Sequence, residues 1–199
     1  MRYSRRDFLG SALAAAGFAS SGGGDAMAEE LVHIFASEAL EVPYKFRRQD
    51  VTYETSEAAG TVIVDPKKHF LYHIHGGGKA TRYGVGVGAE GKTWSGEAVI
   101  KRKVEWPKWK PTKEHLAAYP SLAKYKDAAM PGGPGNPLGA RAMYLFQGDV
   151  DTLYRIHGTP KPAGVGKNVT SGCIRMLNVD VIHLYSLVEI GTRVVVLPG

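Results

Sequence analysis

The sequence predicts a mainly β fold, and three observations carry that prediction. Gly (25) and Pro (11) are frequent in a chain of 199 residues, so turns are many. Short β-branched runs recur, each stopped by a turn pair. Only one segment, near the C-terminus, carries a clear helical pattern. At 44% hydrophobic and 22% charged, the composition is that of a globular domain, and the length suits one domain with a short appendage.

The first residues read as a targeting segment. Ser4-Arg5-Arg6-Asp7-Phe8-Leu9 resembles a twin-arginine export signal, and an uncharged run from Phe8 to Ala19 follows. That run is shorter than the roughly 20 apolar residues of a spanning helix, so no stable membrane span is expected. Ala26-Met27-Ala28 fits a small-x-small cleavage site, with the cut before Glu29. Residues 1–28 are therefore expected to be an export signal, by the twin-arginine or the Sec route, and the mature protein to be periplasmic. Residues 29–58 are mixed in charge and weakly patterned. They are expected to be a lead-in extended along the surface of a domain over 59–199.

From Gly60 the pattern strengthens. Thr61-Val62-Ile63-Val64 reads as a strand stopped by Asp65-Pro66, Phe70 to His75 as a second closed by three glycines, and Arg82 to Gly88 as a third. Together they predict an antiparallel meander. Val99 to Glu105 is a further strand. Residues 106–140 hold Trp106-Pro107-Lys108-Trp109-Lys110-Pro111, a short helical stretch from Thr112 to Tyr119 and the turn-rich run MPGGPGNPLG. Such a long irregular excursion is usually functional, and it is expected to form one wall of a cleft. Strands resume at Met143–Phe146 and Leu153–His157 around a Gly148-Asp149 turn. Val181, Leu184, Tyr185 and Val188 mark one helix, with Asn178 as its cap and Gly191 at its end. Thr192 to Leu197 is a closing strand.

Charge and cysteine content exclude several classes. Removing residues 1–28 takes three arginines and two aspartates, so the net +6 falls to +5. A basic surface suits an anionic partner such as nucleic acid, acidic lipid or cell-wall polymer. No Lys/Arg stripe with interleaved aromatics supports nucleic acid. The single cysteine excludes an intramolecular disulfide and a Cys-based zinc finger. Gly86-Val87-Gly88-Ala89-Glu90-Gly91 matches a dinucleotide-binding spacing, but Lys92-Thr93-Trp94-Ser95-Gly96 after it is no amphipathic helix, so a β-turn is expected. His73 and His75 share a strand face without a third ligand, and no metal site is expected.

Chemistry concentrates between Tyr154 and Met176 (YRIHGTPKPAGVGKNVTSGCIRM). His157 closes a strand, and a Gly/Pro-rich loop leads to Gly172-Cys173. A thiol near pKa 8.5 needs a neighbour to become a nucleophile, and an imidazole can pair with the thiolate and later protonate a leaving amine. The amides of Gly172 and Cys173 could bind a developing oxyanion, and Arg175 could meet a substrate carboxylate. Taken singly, each residue also fits a structural role: a satisfied core histidine, a small buried thiol, a paired arginine.

The segment resembles the signature of the L,D-transpeptidase (YkuD-type) catalytic domain. His157-Gly158-Thr159 and Gly172-Cys173-Ile174-Arg175-Met176 carry the resemblance. It extends through Gly60–Val64, Arg82–Gly88, Glu105-Trp106-Pro107 and Asn136–Arg141. The resemblance implies a β-sandwich with a short helix near the cysteine, and a cysteine enzyme acting on peptidoglycan stem peptides without a cofactor. Cys173 would attack the carbonyl joining the L-centre of diaminopimelate to terminal D-Ala. His157 would be base and acid, with the Gly158 carbonyl orienting its ring. Gly172, Arg175, Thr170, Ser171, Trp106 and Arg141 are the candidate oxyanion and substrate contacts. The family often has Ser-His where this chain has Thr170-Ser171, so a second histidine is absent. Resolution by a second stem would give a 3→3 crosslink, by water a carboxypeptidase, and by a lipoprotein lysine an anchoring enzyme. A non-catalytic wall-binding module is the competing class.

Overall fold

The computed structural model describes residues 37–89, 92 and 94–199. The export signal therefore lies outside the described residues. Eleven strands are described: β1 (Gln49–Thr52), β2 (Val62–Asp65), β3 (Phe70–Gly76), β4 (Lys79–Gly84), β5 (Val87–Gly88), β6 (Gly96–Glu105), β7 (Arg141–Gln147), β8 (Val150–His157), β9 (Asn168–Thr170), β10 (Ile174–Arg175) and β11 (Arg193–Val196). Among the described residues, α1 (Lys113–Ala118) and α2 (Asn178–Leu187) are α-helices that accompany them.

Nine strands form one mixed sheet in the order β1-β4-β3-β2-β11-β6-β7-β8-β10, and β5 and β9 pair separately. The expected meander is β2-β3-β4, antiparallel throughout, but its third strand runs Lys79–Gly84 rather than Arg82–Gly88, and Val87–Gly88 leaves the sheet to pair with β9. The closing strand β11 enters the middle of the sheet, parallel to β2 and antiparallel to β6. Strand β10 lies parallel to β8 at one end. The layers come from bending this one sheet. Gly86, just after β4, exchanges both backbone bonds with Arg175 of β10, at 2.8 Å each. The far arms thus face each other across a shared core. Val62, Leu71, Tyr83, Ile100, Met143, Leu145, Ile156 and Val194 fill that core from seven strands of the sheet. Val181 and Leu184 of α2, with Val188 at its C-terminal cap, close it.

Two expectations need correction. Residues 37–58 are not an extended surface segment. They hold two 3-10 turns, Ala39–Glu41 and Tyr44–Phe46, and then β1, which pairs antiparallel with β4 as the sheet edge. Val42 and Phe46 are buried against Val165 and Leu177 in a cluster of their own. Asn178 is not the cap of α2 either. The cap position is Leu177, which supplies no side-chain bond. The first-turn N–H of Asn178 is instead accepted by Glu38 Oε2 at 2.9 Å. A carboxylate there satisfies an otherwise orphan donor and suits the positive end of the helix.

The lead-in should therefore support the domain. Phe46→Ala removes a buried ring, at a cost of about 3 kcal/mol. A thermal melt should then fall by about 6–12 °C. A change of less than about 2 °C would make the segment a passive appendage.

Candidate active site

Strand β8 regains a regular alternation only at its C-terminal end, beyond the left-handed Leu153. Ile156 faces the core with no exposed surface, so Arg155 and His157 project from the other face. Its parallel neighbour β10 pairs Ile174 with Ile156 and Arg175 with His157. Ile174 is also a core residue, which turns Arg175 to the face of His157. One residue back, the register sets Cys173 beside Arg155, and the Arg155 backbone N–H points at its sulfur. The Gly/Pro-rich loop thus returns the half-buried Cys173 to the strand end that carries His157.

The imidazole is buried and its tautomer is set. His157 Nδ1 lies 2.6 Å from the Gly158 carbonyl oxygen. A carbonyl only accepts, so Nδ1 carries the proton and Nε2 is left basic. Burial, and secondarily the charges of Arg175 and Arg155, push the His157 pKa down to about 4 despite that bond. Burial pushes the Cys173 thiol up, against the Arg155 N–H and the two guanidinium charges. Both shifts favour a neutral thiol and a neutral imidazole over the thiolate–imidazolium pair that the sequence also allowed.

A strained turn completes the thiol's surroundings. Leu153 sits at φ 62°, a conformation costly for a branched side chain. It follows a register shift where β7 and β8 part between Tyr144 and Phe146. Asp151 Oδ1 accepts the Leu153 N–H at 2.9 Å, and Thr152 Oγ1 donates to Leu145 O at 2.6 Å. The Leu153 carbonyl then faces Cys173 Sγ at 3.9 Å and accepts from the S–H.

The remaining candidates fall in different places. Thr170 Oγ1 donates to the Cys173 carbonyl at 2.6 Å and accepts the Gly172 N–H at 3.1 Å. The Gly172 amide is thereby committed, which leaves that of Cys173 as the candidate oxyanion donor of the pair. Gly172 itself adopts φ 125°, and a side chain there would run into the Tyr154 ring. Ser171 is exposed. Arg175 lines the neighbouring cavity, and its buried Nε has no hydrogen-bond partner. Arg155, by contrast, is held by both oxygens of Asp151 at 2.7 and 2.9 Å. Arg141 pairs with Glu105 at 3.2 Å and donates to Ala140 O. Neither it nor Trp106 lines the cavity.

That cavity measures about 370 Å³ and lies between the 106–140 excursion and the loop after β8. Trp109, His115, Tyr119, Met130, Lys161 and Arg175 are among its lining residues. Backbone bonds between Trp109 and Met130 (2.7 and 3.0 Å) close the excursion on itself. Asn136, buried at its base, donates to Pro131 O at 2.9 Å and accepts the Leu138 N–H. Sequence reasoning named the excursion and Trp109 but assigned no role to His115, Tyr119 or Lys161. An aromatic and a cation in an irregular stretch carry no periodic signal. Of the glycine-rich stretch, residues 86–89 are among those described, and Val87–Gly88 is strand β5, beside β9.

Two pH responses follow. Cys173 alkylation by iodoacetamide should be slow at pH 7 and accelerate above about pH 9. A plateau already reached at pH 7 would mean a resting thiolate. His157 binds its proton far less readily folded than unfolded, so its contribution to stability is present above about pH 6.5 and is lost as pH falls toward 4. Subtracting the stability curve of His157→Gln from that of the wild type over pH 4–8 should isolate this slope.

Comparison with known proteins places the chain in a family. Residues 59–196 match the YkuD family, described as the L,D-transpeptidase catalytic domain. The chain is 32% identical over 159 residues to the probable L,D-transpeptidase YbiS of Escherichia coli, covering 78% of this chain and 48% of that protein. It thus spans about half the length of the curated relatives it matches. Among solved structures, a Brucella melitensis protein described as a probable carnitine operon oxidoreductase, caia, is 50% identical. That match covers 81% of this chain and 99% of that one, with a TM-score of 0.53. An L,D-transpeptidase from Mycobacterium smegmatis shares the fold at 18% identity and a TM-score of 0.51, over 71% of this chain and 59% of that one. The chain belongs to the YkuD family of L,D-transpeptidase catalytic domains.

Proposed function

We propose that this protein is an L,D-transpeptidase that joins peptidoglycan stem peptides by 3→3 crosslinks through a thioester on Cys173. The reading rests on one observation above all. The β8–β10 register brings the chain before Ile174, with Cys173, to the strand end that carries His157, whose imidazole Gly158 holds as the Nδ1–H tautomer. That is the arrangement a general base needs.

The steps follow from the neutral pair. His157 Nε2 takes the Cys173 proton as sulfur attacks the carbonyl between the L-centre of diaminopimelate and D-Ala. The Cys173 N–H meets the developing oxyanion. The imidazolium, strongly acidic in its buried setting, gives the proton to the departing D-Ala amine. A thioester remains. An amine of a second stem, deprotonated by His157, attacks it and releases the thiol. Arg175, with no carboxylate partner among the described residues, is the group to meet a stem carboxylate. The cavity beside it would hold the rest of the peptide.

Export through the signal at Ser4–Leu9, with removal of residues 1–28, would deliver the enzyme to the periplasm where this polymer is found. The description of the Brucella relative as an oxidoreductase finds no support in the motifs of this chain. Its one cysteine has no second thiol to form a redox couple.

Mass spectrometry of a tetrapeptide muropeptide incubated with the protein should show a D-Ala-shortened crosslinked dimer, and Cys173→Ala should form none. D-Ala loss without a dimer would assign hydrolysis. Transfer to a lipoprotein lysine alone would assign anchoring, and no reaction at all a binding module. The acid limb of kcat/KM should fall near pH 4, not near 6.5, because the free enzyme's base titrates there. Trp109→Ala should raise KM by about tenfold with little change in melting temperature. Trp106→Ala, outside the cavity wall, should affect folding more than KM.

A further inference from the structure

We propose that Glu38, in the lead-in segment, is a positioning residue for the His157 imidazole and acts through Asn178. The inference rests on the reading of His157 as the base. Glu38 lies outside the 59–196 span that carries the family match, so nothing in that match assigns it a role.

Glu38 is buried, with 7% of its surface exposed. Its two carboxylate oxygens both face Asn178. Oε2 accepts the Asn178 backbone N–H at 2.9 Å, and Oε1 accepts Nδ2 at 2.8 Å. Asn178 is itself 1% exposed. Its second Nδ2 hydrogen goes to the Thr159 carbonyl at 2.7 Å, and its Oδ1 accepts the Ala140 N–H at 2.9 Å. Both amide donors and the amide oxygen are therefore occupied. A flipped amide would put donors against the Ala140 N–H and an acceptor against two oxygens, so the orientation is fixed.

This amide clamps the peptide that holds the imidazole. Gly158 donates its N–H to Arg141 O at 3.1 Å and offers its carbonyl to His157 Nδ1 at 2.6 Å. The next carbonyl, Thr159, is the one Asn178 grips. The contact is close on both sides of the clamp, since a side chain at Gly158 or Gly139 would collide with Asn178 Oδ1. Losing the Glu38 carboxylate would leave two buried Asn178 donors without acceptors. The amide would then turn, the Gly158-Thr159 peptide would relax, and the Nδ1–H bond that selects the tautomer would loosen. The lead-in is anchored for this task by Val42 and Phe46, which pack on Val165 and Leu177 around the same loop.

The test compares wild type, Glu38→Ala and Glu38→Gln as the whole chain. Ring nitrogens of His157 are followed by NMR between pH 3 and 8, and D-Ala release from a tetrapeptide muropeptide is followed alongside. Wild type should show a single Nδ1–H tautomer with a midpoint near pH 4. Glu38→Ala should bring the two ring nitrogens toward averaged shifts and lower the midpoint below the wild-type value, because the Gly158 carbonyl bond that it loosens is what holds the His157 pKa up. Its kcat should fall about tenfold or more, with KM within about threefold. Glu38→Gln keeps one acceptor oxygen and the side-chain volume, so it should fall between; it decides the matter if the alanine variant does not fold. A folded variant with wild-type tautomer, midpoint and kcat, even at a lower melting temperature, would overturn the proposal. If wild type releases no D-Ala, the transpeptidase reading fails, while the ring-nitrogen comparison still decides the role of Glu38.

Discussion

A single buried amide ties the site together. Asn178 joins four segments distant in sequence: the lead-in at Glu38, the end of the excursion at Ala140, the loop at Thr159 and the start of α2. Every polar atom of its side chain is used. Inside a low-dielectric interior such a network resists rearrangement, because breaking any one bond strands a polar group without water. The two glycines that abut it, Gly139 and Gly158, let the backbone come near enough for those bonds to form. At the strand end where His157 sits, this network adds to the backbone bonds that Gly158 and Met176 make there.

Burial sets the chemistry of that strand end. The same desolvation that keeps the imidazole neutral keeps the thiol protonated, so the pair is stored uncharged and charge appears only as reaction proceeds. The two arginines near the sulfur are not equivalent. Arg155 is neutralised by Asp151, whereas Arg175 has a buried, unpaired Nε at the cavity wall. An unmatched buried cation is costly unless something anionic arrives. The strained Leu153 turn stores energy at the same place and aims a carbonyl at the thiol. Cost thus concentrates where the ligand would act, and the large shared core offsets it.

The excursion and the lead-in are two supports on opposite flanks of the loop 158–172. The excursion closes through Trp109, Met130 and Asn136 and leaves a cavity against Thr159 and Arg175. The lead-in packs Phe46 so closely that neither Gly84 nor Gly166 has room for a side chain. A loop rich in Gly and Pro has little order of its own, so its geometry is supplied from both sides.

Local chemistry was legible in the residues. Val62-Ile63-Val64, the glycines after His75 and the spacing of Val181, Leu184 and Val188 announced their elements, because strand and helix periods act over a few residues. The His157 to Cys173 segment announced its chemistry because the residue types are reactive and rare. Long-range placement was not legible. No local signal puts β11 between β2 and β6, takes Asn178 from helix cap to four-way junction, or brings Glu38 to it across 140 positions. The direction of the thiol and imidazole shifts also required the fold, since a protonation state depends on how much water surrounding segments exclude. The chain's local patterns thus named the elements and the reactive pair, and packing between distant segments decided their geometry and charge.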